Sequence, residues 1–407
     1  MGKPKVRFKG YTDDWEQRKS GDIAPLRGGF AFKSNEYCSE GVPIIRISNI
    51  LSDGSVGSDF AYYNEQNYDE VYTLYDGAAV LAMSGATTGK VSVLYAEKGQ
   101  KYYQNQRVGY FVPTDTCEYS FIRTIMRSQL FADQLFAVLV AGAQPNVSSK
   151  EIDGFEFMIP KSKDEQRWIG EYFQSLDHLI TLHQRKCENA QKLKKYMLQK
   201  MFPKNGTNVP EIRFEGFKDA WEQRKFADFT WDAGKRNRED LDLEPYAITN
   251  EHGFIRQCDA HDDFGYMKDT DRKAYNIVQP NSFAYNPARI NVGSIGYYKG
   301  VENVIVSSLY EVFQTDNYVN DRFLWHWFKS DEFPRWIERL QEGSVRLYFY
   351  YDKLCECRLY MPSLEEQEKI ASFLDALDHL ITLHQHKCEE LKNIKKFMLQ
   401  NMFVQEK

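Results

Sequence analysis

The chain contains two copies of one framework, and this internal repeat constrains its fold more than any other feature. Residues 176–202 and 377–403 are identical at 19 of 27 positions. A second pair of segments, 7–19 and 213–225, is identical at 9 of 13 positions. The stretches between these pieces show no comparable similarity. Because each repeat is long enough for a domain and a helix, a pseudo-twofold framework holding two unlike inserts is predicted.

The longer repeated piece lies in a predicted helix with a heptad seam. Capping boxes formed by Ser162 with Glu165 and by Ser363 with Glu366 mark the two helix starts, and Pro203 marks the end of the first helix. Apolar residues then recur at alternating spacings of four and three, which is the pattern of a coiled coil. Each helix should be roughly 50 Å long, and two such helices in one chain are predicted to pair antiparallel. The predicted seam positions are Ile169, Phe173, Leu176, Ile180, His183, Cys187, Ala190, Lys194, Met197 and Met201, followed in the second helix by Ile370, Leu374, Leu377, Ile381, His384, Cys388, Leu391, Lys395, Met398 and Met402.

Each seam contains a histidine four residues before a cysteine, His183 with Cys187 and His384 with Cys388. These residues are interpreted as a polar layer that fixes the register of the two helices. A metal-binding or redox pair is the alternative interpretation.

Short runs of apolar and aromatic residues, broken by Gly, Asn and Asp, fill the inserts at roughly 20–155 and 226–355. Such runs are typical of a mixed, strand-rich domain. Helical spacing of apolar residues near 118–140 and 320–342 predicts short helices after the strands. The fold class is therefore predicted to be α+β, with two strand-rich domains joined by the two long helices. The predicted strand runs are 42–50, 77–83, 90–96, 107–113, 282–286, 292–300 and 302–315.

The domain organisation follows from the order of these elements. A first globular domain is predicted at 1–160 and a first spacer helix at 161–204. A second globular domain is predicted at 205–360 and a second spacer helix at 361–407.

Composition limits the class of protein. The 407 residues are 42% hydrophobic and 15% aromatic, which is typical of a folded chain. There is no apolar run of membrane-spanning length, so no membrane association is expected. The seven cysteines form no CxxC pair, which predicts a reducing, cytoplasmic location. The net charge of −6 argues against a sequence-blind polycation, although it does not decide where individual basic residues lie.

Candidate catalytic motifs fail on inspection. Gly85 to Lys90 resembles a phosphate-binding loop but has the wrong glycine spacing, and no Ser or Thr follows the lysine. Asn286-Pro287 lacks the following proline and aromatic residue of amino-methyltransferase motifs. Cys355 and Cys357 have no second ligand pair at zinc-site spacing. The sequence therefore predicts neither a catalytic site nor a metal site.

Polar and basic residues are concentrated between the predicted strands of both inserts. Arg, Asn and Gln can contact base edges in pairs of hydrogen bonds, whereas Lys and Ser position phosphates. One such cluster alone is typical of a solvated loop, but clusters on two unlike domains predict DNA recognition. In the first insert the candidate DNA-binding residues are Arg27, Lys33, Arg46, Ser48, Asn49, Ser84, Thr87, Thr88, Lys90, Asn105, Gln106, Arg107, Asn146, Ser148 and Lys150. In the second insert they are Lys235, Arg236, Arg238, Tyr285, Asn286, Arg289, Asn291, Arg346 and Tyr348.

These features together resemble one family, the specificity subunits of type I restriction-modification systems. The resemblance covers nearly the whole chain. In the first half it is carried by RGGFAFKSNEYCSEGVPIIRISNI (27–50), LYDGAAVLAMSGATTGKVSV (74–93) and NQRVGYFVP (105–113). The junctions and the second insert add NVSSKEIDGFEFMIPKSKDEQRWIGEYFQSLD (146–177), YMPSLEEQEKIASFLDALD (360–378), SFAYNPARINVGSIGYY (282–298) and VSSLYEVF (306–313). The second insert lacks the segment GVPIIRISNI of the first, as is expected of a domain that prefers a different DNA sequence.

The resemblance implies a non-catalytic subunit whose two target-recognition domains each read one half of an asymmetric, bipartite double-stranded DNA target. The antiparallel helices would fix the gap between the halves. It further implies two modification subunits that bind S-adenosylmethionine and methylate adenine, and restriction subunits that use ATP and magnesium. The chain itself would bind no cofactor. Two alternatives remain at this point, a coiled-coil scaffold that does not read DNA and a single-chain DNA-modifying enzyme.

Overall fold

The computed structural model describes the chain at residues 2–141, 146–204, 206–250, 253–260, 272–344 and 347–404. The chain divides into two compact units. The first unit comprises Met1–Gln184 with His386–Lys407, and the second comprises Arg185–Gln385. Both boundaries fall inside the long helices, so each unit holds one insert and a part of each helix. The domain limits predicted from the sequence, at residues 160, 204 and 360, instead separate each globular insert from a spacer helix. These limits remain predictions.

Within the described residues, the first unit contains two four-stranded sheets and a two-stranded ribbon. Its strands are β1 (Glu16–Lys19), β2 (Leu26–Arg27), β3 (Val42–Ile45), β4 (Ala61–Tyr63), β5 (Thr73–Leu74), β6 (Ala79–Ala82), β7 (Val91–Val93), β8 (Tyr102–Gln104), β9 (Val108–Phe111) and β10 (Glu156–Ile159). Its short helices are α1 (Ser20–Ile23), α2 (Tyr119–Ile125), α3 (Gln129–Ala141) and α4 (Ser149–Asp153). The sheets have the strand orders β2-β9-β6-β7 and β4-β3-β8-β5, and β1 pairs with β10. Strands β3 and β8 run parallel.

The long helix α5 (Lys163–Lys200) leads into the second unit. The strands of this unit are β11 (Glu222–Lys225), β12 (Thr230–Asp232), β13 (Lys235–Arg236), β14 (Pro245–Thr249), β15 (Gly253–Arg256), β16 (Asn276–Val278), β17 (Ser282–Tyr285), β18 (Ile295–Tyr298), β19 (Val304–Val306), β20 (Glu311–Thr315) and β21 (Arg358–Met361). Its helices are α6 (Gln257–Ala260), α7 (Asp321–Phe328), α8 (Glu332–Leu340) and α9 (Tyr351–Glu356), followed by the second long helix α10 (Leu364–Asn401). The sheets have the orders β12-β20-β17-β18 and β13-β16-β19-β14-β15, and β11 pairs with β21.

The two inserts share one topology although their sequences show no comparable similarity. The order β2-β9-β6-β7 of the first unit recurs as β12-β20-β17-β18 in the second. The order β4-β3-β8-β5 recurs as β15-β14-β19-β16, with β14 and β19 parallel like β3 and β8. Strand β13 is an addition at the edge of its sheet. The strand-rich, α+β prediction is confirmed, and the duplication extends to the fold of the inserts.

Each predicted run contains at least one strand, although the strands are shorter than the runs. The run at 77–83 contains β6, and the run at 302–315 contains β19 and β20. The run at 42–50 is a strand only as far as Ile45, because the chain then turns into a 3-10 helix at Ile47–Asn49. The short helices predicted near 118–140 and 320–342 are α2 with α3 and α7 with α8.

The capping boxes predicted at the starts of α5 and α10 form only in part. The hydroxyl of Ser162 accepts a hydrogen bond from the amide of Glu165 at 3.4 Å, and the pair Ser363 and Glu366 repeats this at 3.4 Å. The glutamate side chains do not close the boxes, because an arginine of the same unit takes both carboxylate oxygens. In the first unit, Arg7 donates to Glu165 at 2.6 and 2.8 Å.

The heptad seam is confirmed, since all the predicted seam positions are buried or half-buried. Helices α5 and α10 have 38 residues each, or about 57 Å at about 1.5 Å per residue. In the first unit, Phe173 at the start of α5 packs against Phe403 beyond the end of α10, with ring centroids 6.1 Å apart. In the second unit, Met201 just beyond the end of α5 shares a core with Leu374 in the first half of α10. The halves therefore pair antiparallel.

Polar contacts repeat across the same framework. Lys395 pairs with Asp177 at 2.5 Å in the first unit, and Lys194 pairs with Asp378 in the second. Both lysines were predicted seam positions, and their ammonium groups satisfy carboxylates on the opposite helix. The pseudo-twofold repeat thus extends to individual ion pairs.

Candidate nucleic-acid interface

The polar segments predicted in the first insert come together as one group of loops. They are the loops after β2, β3, β6 and β8, and the turn into α4. We call this group the first loop cluster, and it comprises residues 27–33, 46–49, 84–90, 104–107 and 146–150. The turns lie at strand ends, so their side chains are positioned by a packed sheet.

Backbone hydrogen bonds tie three of these segments together. The Phe30 amide donates to the carbonyl of Gln104 at 2.8 Å. The Asn105 amide donates to the carbonyl of Ile45 at 3.1 Å, immediately before the segment 46–49. The loops after β2, β3 and β8 therefore adjoin one another.

Side chains connect the other two segments. The hydroxyl of Thr87 donates to the carbonyl of Ile47 at 3.2 Å, and the guanidinium of Arg107 donates to the hydroxyl of Ser84 at 3.2 Å. Ser84 also forms an isolated β-bridge with Asn146. All five predicted segments thus lie at one place in the first unit.

The predicted residues divide by exposure. Those that are exposed are Lys33, Ser48, Gln106, Arg107, Asn146, Ser148 and Lys150. Those that are half-buried are Arg27, Arg46, Thr87, Thr88, Lys90 and Asn105, and those that are buried are Asn49 and Ser84. The exposed group supplies guanidinium, amide and ammonium donors of the kinds that contact base edges and phosphates.

Asn49 has an internal role in place of the expected DNA contact. It is 0% exposed, and its amide donates to the carbonyls of Gly57 at 2.9 Å and Asp59 at 3.1 Å. Its side-chain oxygen accepts from the amide of Arg46 at 3.0 Å. Since the donors and the acceptor of this side chain are engaged inside the loop, Asn49 shapes the cluster instead of reading a base.

Arg27 and Ser84 are likewise used within the protein. The Arg27 guanidinium lies 4.9 Å from the centroid of the Tyr110 ring, and its burial lowers the pKa of the group from its ordinary value. Ser84 is 5% exposed and accepts the hydrogen bond from Arg107. These contacts help to hold the cluster together, and DNA contacts by these two residues remain predictions.

The second insert has an equivalent second loop cluster, comprising 235–238, 285–291, 307–310 and 347–350. The first segment follows β12 and includes strand β13, the next two are the loops after β17 and β19, and the last is the turn into α9. These places match those of the first cluster by topology. Arg236 donates to the carbonyl of Ser308 at 3.2 Å. The Phe349 amide donates to the carbonyl of Pro287 at 3.0 Å.

The predicted residues of the second insert also divide by exposure. Those that are exposed are Lys235, Arg236, Arg238, Arg289 and Asn291, and those that are half-buried are Asn286 and Tyr348. Tyr285 is 1% exposed within the second hydrophobic core, so its expected DNA contact is replaced by a packing role. Arg346 lies outside the described residues.

Buried and charged groups adjoin this second cluster. Burial raises the pKa of the Glu311 carboxyl, the charge of Asp232 raises it further, and the charge of Arg236 opposes the rise. Burial also raises the pKa of the Tyr310 phenol, which the Asn286 side chain and the charge of Arg289 oppose. Tyr310, in the loop after β19, therefore lies near Asn286 and Arg289 in the loop after β17, a proximity that the sequence did not predict.

Sequence reasoning also missed Phe30, which is 45% exposed at the centre of the first loop cluster. The sequence signal for this residue is a phenylalanine that directly follows two glycines inside a polar segment.

One group of side chains has the composition of a metal site. Ligand atoms of His326, Asp375 and Asp378 lie within 4.8 Å of one another in the second unit. The carboxylates already have cationic partners, because Arg322 pairs with Asp375 and Lys194 pairs with Asp378. A metal ion would have to displace both cations, so these residues are better described as an ion-pair network.

Among the residues that the structure describes, no helix combines the length and the apolar character needed to cross a bilayer.

Comparison with known proteins agrees with this geometry. The chain matches the family model described as the type I restriction modification DNA specificity domain at residues 12–192 and 254–393. It is 25% identical over 193 residues to the Type I restriction enzyme MjaVIII specificity subunit of Methanocaldococcus jannaschii, a match that covers 46% of this chain and 45% of that protein. The match thus spans about half the length of this curated relative.

Among solved structures, the chain resembles the S subunit of a Type-I restriction-modification system from M. genitalium. The TM-score is 0.66 at 14% identity, and the match covers 100% of both chains. At that identity the likeness shows a common fold. Because the family model matches well over half of its residues, the chain belongs to the family of type I restriction modification DNA specificity domains.

Proposed function

We propose that this chain is the DNA-recognition subunit of a type I restriction-modification complex and has no catalytic role of its own. The observation that carries the proposal is the pair of loop clusters, which occupy equivalent places on two domains of the same topology and unlike sequence. Each cluster would read one half of an asymmetric, bipartite target in double-stranded DNA.

The exposed side chains of the clusters support contacts in the major groove. Gln106 can pair with an adenine edge and Arg107 with a guanine edge, while Lys150 suits a phosphate. In the second cluster, Arg238 and Arg289 are exposed and can contact bases or phosphates. Different residues at equivalent loops would give the two domains different half-sites.

The partners in this proposal are two modification subunits, which would bind S-adenosylmethionine, and restriction subunits that would use ATP and magnesium. Exposed apolar side chains on the long helices support two equivalent docking places. In the first unit they are Leu179, Leu182, Ile394 and Phe397. In the second unit they are Leu380, Leu383, Leu193 and Tyr196, which are the same positions of the repeat.

A charge on one of these helix surfaces tests the stoichiometry. We expect Leu182→Glu or Leu383→Glu to remove one modification subunit and the double variant to remove both. The measurement is the mass of the purified complex by light scattering. An unchanged mass for the double variant would contradict this part of the proposal.

The first experiment on function is long-read mapping of methylated adenine in cells that produce this chain with its modification subunit. One gapped motif, absent without this chain, supports the proposal. An intact complex without new methylation favours a scaffold that does not read DNA. Stoichiometric S-adenosylmethionine binding by the purified chain alone favours a single-chain modifying enzyme.

Two further changes separate the roles of the parts. Exchanging residues 20–155 for another recognition domain should change one half-site only. Inserting four residues near Lys192–Lys194, and four near Asn393, adds about 6 Å to each helix and should lengthen the gap by about one or two base pairs. Altered half-sites with an unaltered gap would refute the idea that the helices set the spacing.

A further inference from the structure

We propose that Phe30 is a specificity-determining residue of the first loop cluster, and that its ring packs against the C5 methyl group of a thymine in the half-site. The inference rests on the proposed function and names a contact within it.

The backbone of Phe30 is fixed at the centre of the cluster. Its amide donates to the carbonyl of Gln104, and its carbonyl accepts from the amide of Gln106, both at 2.8 Å. The preceding Gly29 allows this approach, because a Cβ atom there would lie 2.3 Å from the Gln104 carbonyl oxygen. The loop therefore needs glycine before the phenylalanine.

The side chain of Phe30 is supported and still exposed. Its ring stacks on Tyr72 with centroids 4.9 Å apart and meets Phe32 edge-on at 5.0 Å. Even so, it is 45% exposed, whereas Phe32 is 9% exposed. The two aromatic neighbours hold the ring in one orientation, so ordering it on binding costs little conformational entropy.

The exposed part of the ring stands among polar groups. Gln106 and Arg107 are exposed beside it, and Asn105 forms a β-bridge with Phe30 itself. Among the described residues of these five segments, Phe30 is the only large apolar residue whose side chain is exposed. An apolar group on the ligand would give this exposed ring a contact partner.

DNA offers one such group in the major groove, the thymine methyl. Insertion of the ring between base steps is the other known use of an apolar side chain on DNA. A ring already packed on Tyr72 and Phe32 is better suited to touch the edge of a base than to separate two bases. The structure therefore favours the methyl contact.

The test uses the complex of the full chain with its modification subunit. Once the motif is known, each thymine of the half-site governed by residues 20–155 is replaced by deoxyuridine, which lacks the methyl group. We expect one replacement to weaken wild-type binding roughly fourfold, the effect of burying one methyl group. The variant F30A should bind the thymine and deoxyuridine duplexes equally, and F30L should keep part of the difference.

A matched control comes from Phe136, which is 69% exposed on α3 and lies outside the loop cluster. The variant F136A should behave like the wild type. The second half-site should be read unchanged by F30A, which shows that this variant is folded and assembled. If F30A keeps the wild-type sensitivity to deoxyuridine, or if no thymine replacement affects the wild type, the inference is overturned. Absence of any gapped motif would instead refute the proposed function.

Discussion

Removing the arginine from one buried ion pair should destabilise the second unit by a predictable amount. Arg213 donates to both carboxylate oxygens of Glu366 at 2.6 and 2.7 Å. The glutamate side chain is 1% exposed and the arginine side chain is 13% exposed. In Arg213→Met the carboxylate stays buried at the start of α10 without its cation.

The expected cost follows from the loss of one partner of a buried pair, which is about 3–5 kcal/mol. We take about 3 kcal/mol, the lower end, because the guanidinium is partly exposed and water can reach part of the gap. Replacing Glu366 by Met as well should recover most of this loss, because no charge then remains buried.

Urea unfolding followed by tryptophan fluorescence measures these differences in the free energy of unfolding. The repeat supplies a matched variant, Arg7→Met, because Arg7 and Glu165 have the same exposures, 13% and 1%, and nearly the same distances. Arg167→Met removes an exposed ion pair and should have little effect. A loss below about 1 kcal/mol for Arg213→Met, or no recovery in the double variant, would refute the reasoning.

Three further predictions test other buried polar groups. The side-chain oxygen of Gln367 accepts a hydrogen bond from the backbone amide of Asn320, the residue before α7, at 2.8 Å, and its side-chain amide donates to the carbonyl of Pro362 at 3.0 Å. Gln367→Ala should therefore lower the free energy of unfolding in urea by about 1–3 kcal/mol. Burial lowers the pKa of His326 below its ordinary value of 6.5, although the hydrogen bond to Asp375 partly opposes the shift. As the pH falls below about 6.5, His326 is therefore protonated more readily in the unfolded chain than in the folded one, and the free energy of unfolding decreases. His326→Asn should flatten that dependence between pH 7 and 5, and an unchanged slope would contradict the assignment. Asn49→Ala should lower stability by about 1–3 kcal/mol, and an effect on DNA binding at full stability would restore Asn49 as a base reader.

Much of the architecture could be predicted because its signals are local. A heptad seam and a serine at a helix start are visible within a few tens of residues, and the repeated segments are visible when the chain is compared with itself. The predicted seam positions were all buried or half-buried for this reason, and the predicted strand runs held strands. The loop segments were also recognisable, since turn residues and polar clusters interrupt the strands.

The roles of single polar residues could not be predicted in the same way. Asn49 and Gln106 look equally suited to a base edge in the sequence, yet one is buried and the other exposed. Burial depends on which strands become neighbours, and those pairings join residues far apart in the chain. The same reason applies to Glu165, whose arginine partner lies 158 positions away.

The sequence by itself therefore determined the duplicated framework, the antiparallel helices and the segments that carry recognition chemistry. Only the tertiary structure decided that the two unlike inserts share a topology, that the five segments of the first insert meet, and that Phe30 stands exposed among them. Local patterns specify elements because their period is read within one segment, whereas the composition of a surface depends on sheet pairing and packing over the whole unit.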